Sequence, residues 1–201
     1  MTVRGQWMVV AAVVATVGTG LFAATRFLGD ELFQVTIGSE APNFNAVTLD
    51  ATPLKRGIDS YKGDVVLLNI WATWCEPCRV EMPSIERLHS EFAGRGLKVV
   101  AVSIDQPGME EEIRGFIREY GLTFEILHDE SSDIRRQYQL TGVPETFVIG
   151  RDGVIHKKVI GAESWDSGAN RALIEGLLGA QRLRGKDAPE STIIITKPRL
   201  R

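Results

Sequence analysis

The stretch NIWATWCEPCRVEMP, Asn69–Pro83, contains the only two cysteines of the chain, Cys75 and Cys78. The run DVVLLNIWA at 64–72 leads into it and is almost continuously apolar, which predicts a strand buried on both faces. Beyond Cys75 the apolar residues recur at helical spacing. The sequence therefore places Cys75 where a buried strand passes into the first turn of a helix.

That position predicts the reactivity of the two cysteines. Unpaired N–H groups and the helix dipole favour an anion at a helix N-terminus, so Cys75 is predicted to be a nucleophilic thiolate. Cys78 lies three residues further on the same helical face. It can attack a mixed disulfide at Cys75 and release the reduced product. Pro77 falls in the first turn, where its missing N–H costs little.

Three other roles for the cysteines stay open. A structural zinc site usually needs four ligands, and the three histidines, His89, His128 and His156, show no paired spacing. A purely structural disulfide would close a very small loop and add little stability, and two inert buried thiols are the remaining alternative. The sequence favours redox chemistry, and it predicts neither a metal nor a cofactor.

Composition restricts the class of protein. The chain has 201 residues, of which 44% are hydrophobic, and a formal net charge of −3. That length suits one domain with extensions. Nucleic-acid binders are usually basic, so the charge does not favour a nucleic-acid partner.

The run Trp7–Thr25 carries no charge and has about the ~20 residues that a helix needs to cross a bilayer. We predict a transmembrane anchor at 7–28 after a cytoplasmic N-terminus at 1–6. Arg4 and the terminal amine precede the run and Arg26 follows it, so the positive-inside bias is weak. A signal peptide and a buried core helix are the alternatives. An anchor or a signal would place the rest of the chain outside the cytoplasm.

The remaining chain divides into a linker at 29–36, a folded domain at 37–180 and a polar, basic tail at 181–201. The domain alternates strands and helices in the order β-α-β-α-β-α-β-β-α after an N-terminal β-hairpin within 37–63. This predicts an α/β fold whose central mixed sheet is mostly parallel and flanked by helices, with a last helix capped by Ser164. The tail is interpreted as disordered, as a contact with anionic lipid or as an edge strand.

The segment TGVPET at 141–146 is the second candidate element of the site. Pro144 directly precedes a predicted strand, in a turn compatible with a cis peptide bond. If the sheet order is right, this loop lies beside the start of the cysteine helix. The backbone of Val143 could then pair with an extended substrate peptide. A merely rigid turn is the alternative.

The motifs VVLLNIWATWCEPC, EMP, GVPET and FVIG-RDG together resemble the TlpA/ResA-like family of membrane-anchored, thioredoxin-fold thiol–disulfide oxidoreductases. The resemblance covers about residues 37–178. It implies a thioredoxin-like fold, with Cys75 attacking, Cys78 resolving and Pro144 cis. It also implies a reductase on the periplasmic side of the bacterial cytoplasmic membrane, in cytochrome c maturation or oxidase assembly. Its electrons would come from a membrane thiol–disulfide transporter.

Three acidic residues, Glu76, Glu81 and Glu145, are predicted to lie near the cysteines. Negative charge opposes thiolate formation, and a stabilised thiolate makes a disulfide a strong oxidant. The sequence therefore predicts a reductase. Each glutamate could instead be a solvated surface charge, although the family resemblance implies that Glu81 belongs to the site. Trp74 is predicted to cover the cysteine pair, with simple packing as the alternative.

Two other functions compete with the oxidoreductase. A Cu(I) chaperone would use both thiolates, but no stretch rich in Met or His accompanies them. A peroxiredoxin-type peroxidase would have Thr or Ser three residues before the attacking cysteine, where this chain has Ala72. An apocytochrome, a copper-site oxidase subunit and a general periplasmic disulfide remain open as the substrate.

Overall fold

The computed structural model describes residues 3–27 and 34–184. Its helices are Val3–Phe27 (α1), Glu76–Phe92 (α2), Glu110–Tyr120 (α3), Asp133–Gln137 (α4) and Gly168–Arg184 (α5). Its strands are Ala46–Thr48 (β1), Lys55–Arg56 (β2), Val65–Trp71 (β3), Leu97–Ser103 (β4), Glu125–His128 (β5), Glu145–Ile149 (β6) and Ile155–Ile160 (β7). The predicted order of strands and helices is confirmed. Most of the predicted linker and most of the predicted tail lie outside the described residues.

The strands form one mixed sheet in the order β2-β1-β5-β4-β3-β6-β7. β1 and β2 make the predicted N-terminal hairpin. β3, β4 and β5 are parallel, and every other neighbouring pair in the described sheet is antiparallel. The expectation of a mostly parallel sheet was therefore wrong.

The difference lies at β6. The connection from β5 contains the short helix α4, whose five residues rise only about 7.5 Å. β6 starts at the end of the sheet where β5 finishes, and it runs antiparallel to β3. This reversal brings the start of β6 next to the end of β3.

The core lies on both faces of the central strands. All seven residues of β3 are buried, as the apolar run predicted. Helix α2 packs its apolar face on the sheet through fully buried side chains that include Ile85, Leu88 and Phe92. Burial of each such side chain contributes about 1.5–3 kcal/mol, so α2 is held firmly on the sheet.

Helix α5 does not begin where the sequence suggested. Its first residue is Gly168, and the hydroxyl of Ser167 accepts a hydrogen bond from the Asn170 N–H at 3.4 Å. The predicted cap, Ser164, lies before the helix, and its hydroxyl donates to the Asp166 carboxylate at 3.1 Å. The cap is therefore Ser167, because the turn at 164–167 precedes the first helical residue.

Helix α1 covers residues 7–27 of the anchor predicted at 7–28. Its segment Gly5–Ala23 has 19 residues and is long and apolar enough to cross a membrane, and none of it is buried inside the structure. Length and composition alone support this, and a signal sequence would satisfy the same criteria.

Candidate active site

The two cysteines lie at the start of α2. Cys75 is the N-cap residue, with an extended backbone, and its Sγ accepts a hydrogen bond from the Cys78 N–H at 3.2 Å. The two sulfurs are joined in a disulfide. Cys75 is 3% exposed and Cys78 is fully buried. The Cys78 N–H of the first turn thus points at the Cys75 sulfur, and of the two cysteines only Cys75 reaches the surface.

The other residues of the first turn are open to water. Glu76 and Pro77 are the first two residues of α2, and both are exposed. A carboxylate at this end of a helix interacts favourably with the dipole, and a proline here gives up an N–H that would have no partner in the helix. Both residues therefore favour the start of a helix at this point.

The loop before β6 closes over Cys75. The Val143–Pro144 peptide bond is cis, and the Val143 carbonyl oxygen lies 3.4 Å from Cys75 Sγ. The pairing of β6 with β3, which sets Glu145 opposite Ile70, brings this loop to the end of β3. Pro144 is buried and Val143 is partly exposed. The structure therefore brings Val143 and Pro144 to the cysteine pair.

Glu81 is buried behind the disulfide, one turn beyond Cys78 on α2. Asn69 Nδ2 donates to its Oε1 at 2.7 Å. Trp165 Nε1 and the Glu163 N–H donate to its Oε2 at 3.2 and 3.3 Å. Burial raises the pKa of Glu81 to about 7, although the hydrogen bonds from Asn69 and Trp165 oppose this. Glu81 can therefore hold or release a proton near neutral pH.

Asn69 connects Glu81 to the sheet. Its Nδ2 also donates to Thr146 Oγ1 at 2.8 Å, so both N–H bonds of the amide are used. Its Oδ1 is buried and has no hydrogen-bond partner among the described residues. An amide acceptor is thus available beside a carboxyl group that takes up a proton.

Glu145 has a different environment. It is fully buried, and its Oε1 accepts from the N–H and the hydroxyl of Thr141 at 2.7 and 2.9 Å. Its Oε2 lies 3.6 Å from Lys158 Nζ. Glu145 therefore fastens the loop at 141–145, and the ammonium group of Lys158 offsets its charge.

Trp74 is 65% exposed. It lines a shallow surface depression together with Thr73, Arg79 and Phe116. The indole of Trp74, the residue before Cys75 in the chain, is therefore exposed to solvent, and it lies next to helix α3.

Sequence analysis missed the residues that fix the turn before Cys75. The Asp105 carboxylate is fully buried and accepts from the Thr73 N–H at 3.0 Å and from the Thr73 hydroxyl at 2.7 Å. The Ser103 hydroxyl donates to the same carboxylate at 2.6 Å. Arg79 Nη2 donates to the Thr73 carbonyl at 3.0 Å. A carboxylate that closes the apolar run LKVVAVSID was the available signal, since such a group needs donors.

These elements define a thiol–disulfide oxidoreductase of thioredoxin-like fold, with a CxxC pair at a helix N-terminus beside a cis-proline loop. The comparisons with known proteins agree. A sequence profile of the AhpC/TSA family matches residues 37–158, and the chain belongs to that family.

Individual similar proteins narrow the class of oxidoreductase that the chain resembles. The thiol-disulfide oxidoreductase ResA of Oceanobacillus iheyensis is 34% identical over 73% of this chain and 76% of its own length. The thioredoxin-like protein YneN of Bacillus subtilis is 41% identical over 62% of this chain and 71% of its own. A crystal structure of a thiol:disulfide interchange protein of the thioredoxin family from Chlorobium tepidum matches with a TM-score of 0.59 and 26% identity, over 72% of this chain and 99% of that one. The predicted resemblance to ResA-like oxidoreductases is confirmed.

Proposed function

We propose that this chain is a membrane-anchored, extracytoplasmic protein-disulfide reductase in which Cys75 attacks and Cys78 resolves. The observation that carries the proposal is the difference between the two sulfurs. Cys75 lies at the N-terminus of α2 and retains some exposure, whereas Cys78 is fully enclosed. A substrate can therefore reach Cys75 only.

The chemistry follows from this arrangement. In the reduced protein the Cys75 thiolate attacks a substrate disulfide, which forms a mixed disulfide and expels one substrate thiolate. Cys78 then loses its proton and attacks Cys75 Sγ, which releases the second substrate thiol. The protein ends as the Cys75–Cys78 disulfide, and the substrate has gained two electrons and two protons.

The Val143–Pro144 loop supports binding of an extended peptide. The Val143 carbonyl is 3.4 Å from the reacting sulfur, and the backbone is partly exposed there. A peptide strand that pairs with this backbone would hold its own disulfide against Cys75. Trp74, exposed at the neighbouring position, supplies apolar contact area for the same peptide.

Glu81 supports the reducing direction. It is buried one turn from Cys78 with no cation among its hydrogen-bond partners, so a thiolate beside its ionised form is disfavoured. A disfavoured thiolate makes the disulfide a weaker oxidant. Glu145 contributes little to this effect because Lys158 lies against it, and Glu76 contributes little because water screens it.

The cellular setting rests on α1 and on the relatives. A helix that can cross a bilayer precedes the domain, and we assign it as a single anchor with the domain on the periplasmic side. The electron donor is then a membrane thiol–disulfide transporter. The substrate is a disulfide-containing protein of cytochrome c maturation or oxidase assembly, such as an apocytochrome c or a copper-site subunit.

A trapping experiment tests the roles of the two cysteines. Full-length Cys78→Ser, expressed in its own membrane, should hold substrates at Cys75 as mixed disulfides that mass spectrometry identifies. Cys75→Ser is the matched control and should trap nothing. Equal trapping by both variants would refute the assignment, and capture of unrelated proteins alone would refute the substrate class.

A redox titration of the full chain tests the reducing direction. The midpoint should be clearly more negative than that of a strong protein oxidant. A value as oxidising as about −120 mV would overturn the reductase.

A further inference from the structure

A second cluster of polar side chains lies at the carboxyl end of the parallel strands, apart from the cysteines. Glu110 is the first residue of α3, His128 is the last residue of β5, and Glu130 follows two residues later. One ligand atom from each residue lies within 4.8 Å of the others. Neither glutamate takes part in the chemistry at Cys75.

The hydrogen bond of His128 fixes which ring nitrogen can bind a cation. His128 Nε2 is 2.9 Å from the Asp105 carbonyl oxygen. A carbonyl only accepts, so Nε2 carries a proton and Nδ1 is the nitrogen that can offer a lone pair to a metal ion. A histidine that donates from one nitrogen to a backbone carbonyl is oriented as metal-ligating histidines are.

His128 Nδ1 lacks a hydrogen-bond partner within residues 34–184, and the side chain is fully buried. Glu110 Oε1 lies 3.6 Å from this nitrogen. That oxygen already accepts from the Gly108 N–H at 3.3 Å. The unpartnered nitrogen therefore faces a carboxylate oxygen, and a cation between them would bind both.

The loop is built to present Glu130. Asp129, the residue between His128 and Glu130, is buried and used elsewhere. Its Oδ2 accepts from the Ile134 N–H at 2.8 Å, and its Oδ1 accepts from the Ser131 hydroxyl at 2.6 Å. Glu130 remains exposed, so a cation from solvent can reach its carboxylate first.

We propose that His128 Nδ1 and the carboxylates of Glu110 and Glu130 bind one divalent first-row transition cation, with Zn²⁺ as the type ion. An imidazole nitrogen with two carboxylates suits zinc, and three protein ligands leave a position for water. Calcium and magnesium prefer all-oxygen sites, so they bind here more weakly.

The site reaches the cysteine loop through Asp105. The Asp105 carbonyl holds His128, and the carboxylate of the same residue holds Thr73, two residues before Cys75. An ion on His128 therefore stabilises the residue that fixes the turn before Cys75. This is a structural connection, and the ion takes no part in thiol exchange.

Calorimetric titration with ZnCl₂ tests the site on the untagged full chain in detergent. The protein is kept as the disulfide, so that the cysteine thiolates cannot bind zinc. We expect one ion per chain and at least about tenfold weaker binding for Glu130→Gln and Glu110→Gln. Glu112→Gln removes an exposed carboxylate from the same turn of α3 and should bind zinc as the wild type does.

Nitrogen chemical shifts of His128 give a second readout, which does not depend on a variant that folds. Addition of zinc should shift Nδ1 and leave Nε2 protonated. Absence of binding would overturn the proposal. So would an ion that binds all variants alike, which would place it at another surface group, or a His128 ring that carries protons on both nitrogens when zinc is present.

Discussion

The two sides of the disulfide differ in their access to water. We call the outer side the front and the inner side the back. The front consists of Trp74, Cys75 and Val143, and the back consists of Asn69, Cys78, Glu81 and Trp165. At the front, the exposed indole and the partly exposed loop can be touched by a substrate. At the back every side chain is buried, and burial moves the pKa of Glu81 to about 7. The front is thus suited to recognition and the back to control of protons.

The largest effect is expected when the cysteines themselves are replaced, Cys75 at the front and Cys78 at the back. Cys75→Ser should lose both adduct formation and turnover, because the thiol that we propose as the attacking group is gone. Cys78→Ser should lose turnover but keep adduct formation. Turnover of a model protein disulfide and gel mobility of the adduct measure the two steps. Rapid alkylation of Cys78 before Cys75 in the reduced protein would reverse the assignment of front and back.

The next largest effect is expected on the free energy of unfolding, through Glu81 at the back. The folded-state pKa of Glu81, about 7, lies above its ordinary value of 4.5. The native state therefore binds more protons than the unfolded state between these values, and stability falls as the pH rises through that window. Glu81→Gln should remove a loss of roughly 3 kcal/mol between pH 5 and pH 8.

Urea unfolding at both pH values measures this loss. Glu76→Gln, at the exposed start of the same helix, is the control and should retain the wild-type slope. If the free energy of unfolding of Glu81→Gln fell with pH as steeply as that of the wild type, the carboxyl group would not titrate in the folded protein near neutral pH.

A somewhat smaller effect is expected on the rate. Since Glu81 can exchange a proton near pH 7, the wild-type rate of disulfide reduction should change through that pH. Glu81→Gln should flatten the profile and lower the neutral rate roughly tenfold to a hundredfold. Stopped-flow kinetics from pH 5 to pH 9 tests this. A variant with an unchanged profile would limit Glu81 to a structural role.

The smallest effect is expected at the front. Trp74→Ala should change the free energy of unfolding by no more than about 1 kcal/mol, because most of the side chain is already in water. It should raise KM for a protein disulfide roughly threefold to tenfold and leave a small-molecule disulfide unaffected. An equal effect on both substrates would show that Trp74 only packs.

Local patterns were enough to predict the elements of this fold. An apolar run predicted β3, helical spacing predicted α2, and the strand–helix junction placed Cys75 at a helix N-terminus. The direction of β6 was not predictable in this way, because it depends on the path of the whole connection between β5 and β6 and on the pairing of β6 with β3.

The contacts of the buried polar groups were even harder to predict from the sequence. Trp165 meets Glu81 across 84 positions of sequence, and Thr73 meets Asp105 across 32. No local period encodes such pairs. Asn69, a polar residue in the middle of an apolar strand, was the signal of the contacts around Glu81, and Asp105 was the signal of the contacts around Thr73, since buried polar groups need partners.

The complete burial of Cys78 determines how the cysteine pair responds to oxidation by peroxide. Peroxide can reach only Cys75, where it would form a sulfenic acid. Cys78 lies in the same turn and would attack that sulfur, expelling water and restoring the ordinary disulfide. The inner thiol thereby protects the outer one from irreversible overoxidation, and a damaged protein re-enters its normal cycle without a repair enzyme.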